Sequence, residues 1–238
     1  MRRYKMQLLL GLDMNRVIME TPSAWIFDYV QGSQEWLDAR KMAVGGSTVF
    51  AILGKSKYST RYQAISAMIS SESLEMTVPI VRGLVGEKYI REYLIDNLGL
   101  NVREVGIAVK KDAPWMRASP DGIYTMANGD IGIIEIKVIS SRVRTSPYYN
   151  VFVQLGDGNL NVDAVVHDEH WNQVHYTAGV IGAKEITYCV LCWNFEGASS
   201  GKQPGFIYCS RFVPDSHLFQ NIHVPAAKLA YEMACARK

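Results

Sequence analysis

An acid and a lysine set two residues apart inside an apolar run constrain this chain more than any other feature. Residues 131–139 read IGIIEIKVI, a β-branched stretch carrying Glu135 and Lys137. Such a run predicts a strand, and side chains two apart leave the same face of a strand while Ile136 points the other way, into the core. Charges on so apolar a strand are costly without partners, and a divalent cation supplies one. Asp121, in the stretch ASPDG at 118–122, ends the preceding strand-like run and brings a second carboxylate to the same edge. Asn128-Gly129 between the two stretches suits a hairpin. Carboxylate oxygens suit Mg²⁺ or Mn²⁺, which polarise a phosphoryl oxygen and acidify bound water. A lysine beside them orients that water and offsets developing negative charge. Zinc is disfavoured, because no His or Cys stands at matching spacing. The alternative is a surface hairpin with charges on its outer face. Either motif alone fits it, and their order on apolar strands favours phosphodiester hydrolysis.

The rest of the pattern predicts an α/β chain with a mixed central sheet flanked by helices. Helices are expected over 34–41 with Ser33 as N-cap, from an N-cap at Ser47 to a C-cap at Gly54, and over 61–70. The longest spans 80–98, with Val85, Tyr89, Ile90, Leu94 and Leu98 as one apolar face. Strand-like runs follow at 102–109, 116–125, 131–139, 186–193 and 206–213, and a closing helix at 226–236. The chain reads as one domain over 1–238, with 1–30 as an N-terminal extension and the polar 196–205 (EGASSGKQPG) as a surface loop.

No run approaches the roughly 18 apolar residues of a membrane helix. Residues 1–12 have a basic front and a short apolar run but no small-residue cleavage site, and read as a mature N-terminal segment. Cys189 and Cys192 form a CxxC inside an apolar strand, where they point to opposite faces and cannot share a metal. The four cysteines read as buried thiols in a reducing, intracellular compartment. A net charge of +2 does not announce a nucleic-acid binder, but a nuclease needs only a basic groove. Lys55/Lys57/Arg61 and Arg142/Arg144 each read as solvated patches. His167, His170 and His175 with Asp168 and Glu169 invite a metal reading, yet a polar helical surface is expected. Trp25, Phe27 and Tyr29 alternate, which fits packing better than base stacking.

Several motifs, taken together, resemble the phage lambda exonuclease family, the viral-recombinase alkaline exonucleases of the PD-(D/E)xK superfamily. They run collinearly from about residue 35 to 182: EWLDAR at 35–40, VGGS at 44–47, GLVGE at 83–87, SPDG at 119–122, IEIK at 134–137 and QVH at 173–175. The resemblance implies a restriction-endonuclease-like core. It implies that Asp121, Glu135 and the backbone carbonyl of Ile136 ligate Mg²⁺ or Mn²⁺, that Glu87 completes the acidic cluster and that Lys137 assists the attacking water. Arg40 and Ser47 would hold a terminal 5′ phosphate, and Gln173 would support the network. His170 departs from the family's usual Tyr, Gly-Gly precedes Ser47 where Thr-Ala is usual, and residues 151–168 and the hairpin are longer.

The expected function is 5′→3′ degradation of one strand from a double-stranded DNA end, leaving a 3′ overhang for a single-strand annealing protein. A homotrimer encircling DNA is a further implication. The rival readings are an endonuclease of restriction or host-shutoff type, cutting DNA or RNA; an iron–sulfur nuclease, which lacks its cysteine ahead of Cys189; and a catalytically silent DNA-binding relative, against which the intact Asp/Glu/Lys set speaks.

Overall fold

A computed structural model describes residues 11–70, 78–140, 166–193 and 206–237. Arg142, Arg144, the loop at 196–205 and nearly all of the stretches 1–12 and 151–168 lie outside the described residues.

Two four-stranded sheets organise the chain. The first holds β1 (Val17–Glu20), β2 (Ala24–Phe27), β3 (Ile107–Lys110) and β4 (Arg117–Ala118) in that order, all antiparallel. The second holds β5 (Gly122–Thr125), β6 (Ile131–Ser140), β7 (Glu185–Trp193) and β8 (Phe206–Phe212), with β6 and β7 parallel and the outer pairs antiparallel. The mixed sheet foreseen from the sequence is therefore the second of two. The expected strand at 116–125 divides between them, because Pro120 has no N–H to give to a ladder. Asp121 stands at this crossing. The run at 102–109 is likewise trimmed, to the four residues of β3.

The helices are α1 (Gln34–Asp38), α2 (Gly46–Ile52), α3 (Arg61–Ile69), α4 (Val78–Leu98), α5 (Asp168–Ile181) and α6 (Val224–Cys235). A helical turn, Ser216–Leu218, and a π-helical stretch, Phe219–His223, lead into α6. Ser33 caps α1 as expected, its Oγ accepting from Trp36 N. Ser47 does not cap α2. The N-cap is Gly45, whose N–H donates to Thr48 Oγ1 at 3.1 Å, and the helix ends at Leu53 with Gly54 following in the left-handed conformation, φ 76°, as the glycine stop.

The main core lies between the sheets and is filled by α5, whose Val174, Tyr176, Ala178, Val180 and Ile181 are fully buried. The polar surface expected around His167–His175 is therefore corrected. His175 is buried and accepts from Asp215 N, and Asn172 bonds the buried His223. A second core lies on the far face of β6, where Ile90 and Leu94 of α4 meet Ile134 and Ile136. Val85 and Leu98, read as part of that apolar face, are exposed instead. Gly86 brings α4 against β6: a Cβ there would stand 2.4 Å from Val138 Cγ2.

Phe27 and Tyr29 are buried, so the aromatic alternation is packing. Cys189 pairs across the ladder with Cys209, while Cys235 is exposed rather than buried. Among the described residues, no helix is long and apolar enough to cross a membrane.

Candidate active site

The site forms where β5 stops covering β6. The last ladder pair is Gly122 with Ile134, and Asp121 N–H still bonds the Ile134 carbonyl at 3.1 Å. Beyond it the Asp121 carboxylate takes the place of a strand, with Oδ2 accepting from Ile136 N–H at 2.6 Å. In an extended chain the N–H and C=O of one residue leave on the same side, so the Ile136 carbonyl faces this same edge. Glu135 and Lys137, offset by one, point instead toward α5. There Lys137 Nζ donates to Glu135 Oε1 at 2.6 Å and to Gln173 Oε1 at 3.2 Å, while Gln173 Nε2 donates to Glu135 Oε1 at 2.5 Å. Three polar groups thus lock one another, and Glu135 is 1% exposed.

Burial holds the carboxyl of Asp121 well above its ordinary range, and the nearby charges of Glu135 and Glu87 push it further. Asp121 as a whole residue is half-buried, while its carboxyl is desolvated. Glu87, on α4, is also raised, chiefly by burial, against the pull of Arg91. Glu135 Oε2 is buried with no hydrogen-bond partner among the described residues. Crowded, desolvated carboxylates with an unsatisfied oxygen fit a hard divalent cation, which supplies the missing charge. Among the described residues no three His, Cys, Asp or Glu side chains are gathered tightly enough to cage a metal by themselves.

A cleft of about 540 Å³ adjoins this centre, and Gln173 lines both. Among the described residues its walls carry Arg40, Lys41 and Arg117 and no acidic side chain, with Lys41 paired to Asp38 beside the cleft at 2.6 Å. Arg40 stacks on Trp36 with its guanidinium carbon 4.2 Å from the ring centroid, and Nη2 donates to Ser47 Oγ at 3.2 Å. Met42, in the turn between Arg40 and α2, takes the left-handed conformation with φ 52°, uncommon without glycine. Trp36 Nε1 donates to Ser119 Oγ at 3.0 Å, which ties the Arg40 platform to the segment leading into Asp121. Arg117 is buried and donates to the carbonyls of Ala39 and Pro114, and burial pushes its pKa down to about 10.

Asp121, Glu135, Lys137, Gln173 and the Ile136 backbone thus come together, with Glu87 close enough for its charge to be felt; Arg40 and Ser47 meet in the adjoining cleft. The sequence reading missed Trp36 as the platform for Arg40, and Arg117 and Ser119 as cleft walls. A single buried Arg gives no signal along a chain. His170, expected at the surface, is held by Tyr188 at 3.0 Å, and burial, with Lys137 nearby, pushes its pKa down to about 3.

The family model for the YqaJ-like viral recombinase domain matches residues 35–157. Among solved structures, the chain is similar to an alkaline exonuclease (LHK-Exo) from Laribacter hongkongensis: TM-score 0.58 at 19% identity, covering 86% of this chain and 92% of that one. That exonuclease has also been solved in complex with dAMP. A phage-related exonuclease from Haemophilus somnus 129PT matches with TM-score 0.53 at 14% identity, covering 84% and 98%. The protein in a SOX–DNA complex matches with TM-score 0.52 at 10% identity, covering 84% and 67%. Among curated proteins none matches the sequence.

Proposed function

The chain belongs to the YqaJ-like viral recombinase domain family, and from this premise we propose that it is a metal-dependent exonuclease degrading one strand of duplex DNA 5′→3′ from an end. The observation that carries the proposal is the continuity of two parts. A carboxylate–lysine centre at the edge of β6 adjoins a cleft that carries Arg40 and Arg117, and Gln173 belongs to both.

Asp121, Glu135 and the Ile136 carbonyl, with Glu87 outside them, would hold Mg²⁺ or Mn²⁺. A bound cation would supply polarisation of the phosphoryl oxygen and a lowered water pKa. Lys137, already fixed by Glu135 and Gln173, would orient an attacking water and offset charge as the transition state forms. Arg40 and Ser47 grip the terminal 5′ phosphate, with Trp36 keeping the guanidinium plane in place. A fork-shaped donor on a flat stacking surface suits phosphate better than a mobile ammonium does. An enzyme that grips an end in this way leaves a 3′ single strand, the substrate of an annealing protein. A homotrimer around the duplex and an intracellular setting complete the proposal.

Asp121→Asn tests the hydrolytic half. It should abolish Mg²⁺-dependent degradation of linear duplex while the circular dichroism spectrum and DNA binding persist. Retained degradation would remove Asp121 from the centre.

A further inference from the structure

Arg91 stands one turn beyond Glu87 on α4, and its guanidinium ends among three chain segments. Nη1 donates to the Asp121 carbonyl at 3.1 Å and lies 3.8 Å from Glu87 Oε2, while Nη2 meets Glu104 Oε2 at 3.3 Å. The side chain of Arg91 is 15% exposed, and that of Glu104 is 60% exposed. An exposed ion pair contributes little, so the Glu104 contact serves mainly to orient the fork. The bond that bears on chemistry is the one to the Asp121 carbonyl. Asp121 is thereby held at every polar end: its N–H by Ile134 O, its carboxylate by Ile136 N–H and its carbonyl by Arg91. Gly86 fixes the helix that carries the fork, because its missing Cβ lets α4 touch Val138.

We infer that Arg91 is a positioning residue for the metal centre: its rigid fork holds the turn bearing Asp121 and the carboxylate of Glu87 toward one cation. This rests on the metal reading proposed above. Both contacts fall on Nη1, with the plane set by Nη2 on Glu104; a lysine ammonium could reach the carbonyl or a carboxylate but lacks the rigid plane that holds one nitrogen between them.

Mn²⁺ binding by the full chain without DNA, followed by loss of the free-ion paramagnetic resonance signal, tests it. Arg91→Met should weaken Mn²⁺ binding by about ten-fold or more, the size seen when partners that orient metal ligands are lost. Arg91→Lys should fall between Arg91→Met and wild type, and Glu104→Gln should stay within about two-fold, as an exposed pair allows. In degradation assays the Mg²⁺ needed for half-maximal rate should rise by the same factor, with kcat largely recovered at saturating Mg²⁺. Metal-free melting of the same samples separates positioning from folding. If Arg91→Met melts earlier yet binds Mn²⁺ like wild type, Arg91 is merely structural and the inference is overturned. Should Arg91→Met fail to fold, Arg91→Lys with wild-type affinity overturns it equally. If wild type itself takes up no Mn²⁺, the metal reading falls and this inference with it, an outcome distinct from wild type binding and the variants matching it.

Discussion

Arg40 offers the sharpest test of end recognition. Its guanidinium is half-buried, stacked 4.2 Å from the Trp36 ring and bonded to Ser47. A terminal phosphate carries more negative charge than an internal one, so a charge-assisted contact here favours it by about 1.5–3 kcal/mol. Burial lowers the Arg40 pKa, and among the described residues no acidic side chain lines the cleft. The contact converts to about ten- to a hundred-fold in rate. Arg40→Ala should erase most of the preference for 5′-phosphorylated over 5′-hydroxyl duplex and leave metal dependence untouched. Arg40→Lys should restore only part of it. Trp36→Ala should resemble Arg40→Ala, because the fork loses its stacking surface. Initial rates on the two substrates decide the matter. Wild type indifferent to the 5′ phosphate, or Arg40→Ala retaining the preference, would refute the phosphate-gripping role.

Lys137→Ala should cut turnover by about a hundred-fold or more while the DNA Kd moves little, since its charge matters as the transition state forms; equal losses in both would make Lys137 a docking residue. Gln173→Leu should lower kcat by about ten-fold or more, because two hydrogen bonds that fix Glu135 and Lys137 disappear, and rates at saturating DNA and Mg²⁺ measure it. Gly46→Val should destabilise the fold by about 1–3 kcal/mol through overpacking, since a Cβ there meets Thr177 Oγ1 at 2.8 Å; denaturant melts check this. Metal-free stability should depend on pH through Asp121. Its folded pKa is raised above the ordinary 3.8, so the folded state holds the extra proton, and stability present below pH 3.8 is lost as the pH climbs through the raised value. Asp121→Asn should remove that loss and raise the metal-free Tm at neutral pH by about 2–4 °C per kcal/mol recovered.

The shared face of Glu135 and Lys137 was legible because strand periodicity is short-range: two residues apart on β6 guarantees one face, whatever the tertiary fold. Asp121 was legible for a related reason, since Pro120 and Gly122 mark where a strand must break. Neither rule says that the break is a passage between two sheets. That is set by opposite choices of partner: β4 pairs back onto β3 and β5 pairs forward onto β6, each across a short connection. The expected N-cap at Ser47 falls beyond the actual one, Gly45, because Thr48 serves the Gly45 N–H and leaves the Ser47 hydroxyl to Arg40. Helix α5 misled because its polar first turn hides a face that both sheets bury. Arg91 and Arg117 left no trace in the sequence, as each acts through backbone carbonyls that any residue carries.

One gel tests metal-dependent attack from a DNA end most directly: a linear duplex labelled on either terminus beside a covalently closed circle, each with Mg²⁺ and with EDTA. The linear duplex alone should be degraded and only with Mg²⁺, the 5′ label leaving first as mononucleotide while the 3′ label stays on a shortening strand. A circle cut as fast as linear DNA, or full degradation in EDTA, would contradict metal-dependent attack from an end.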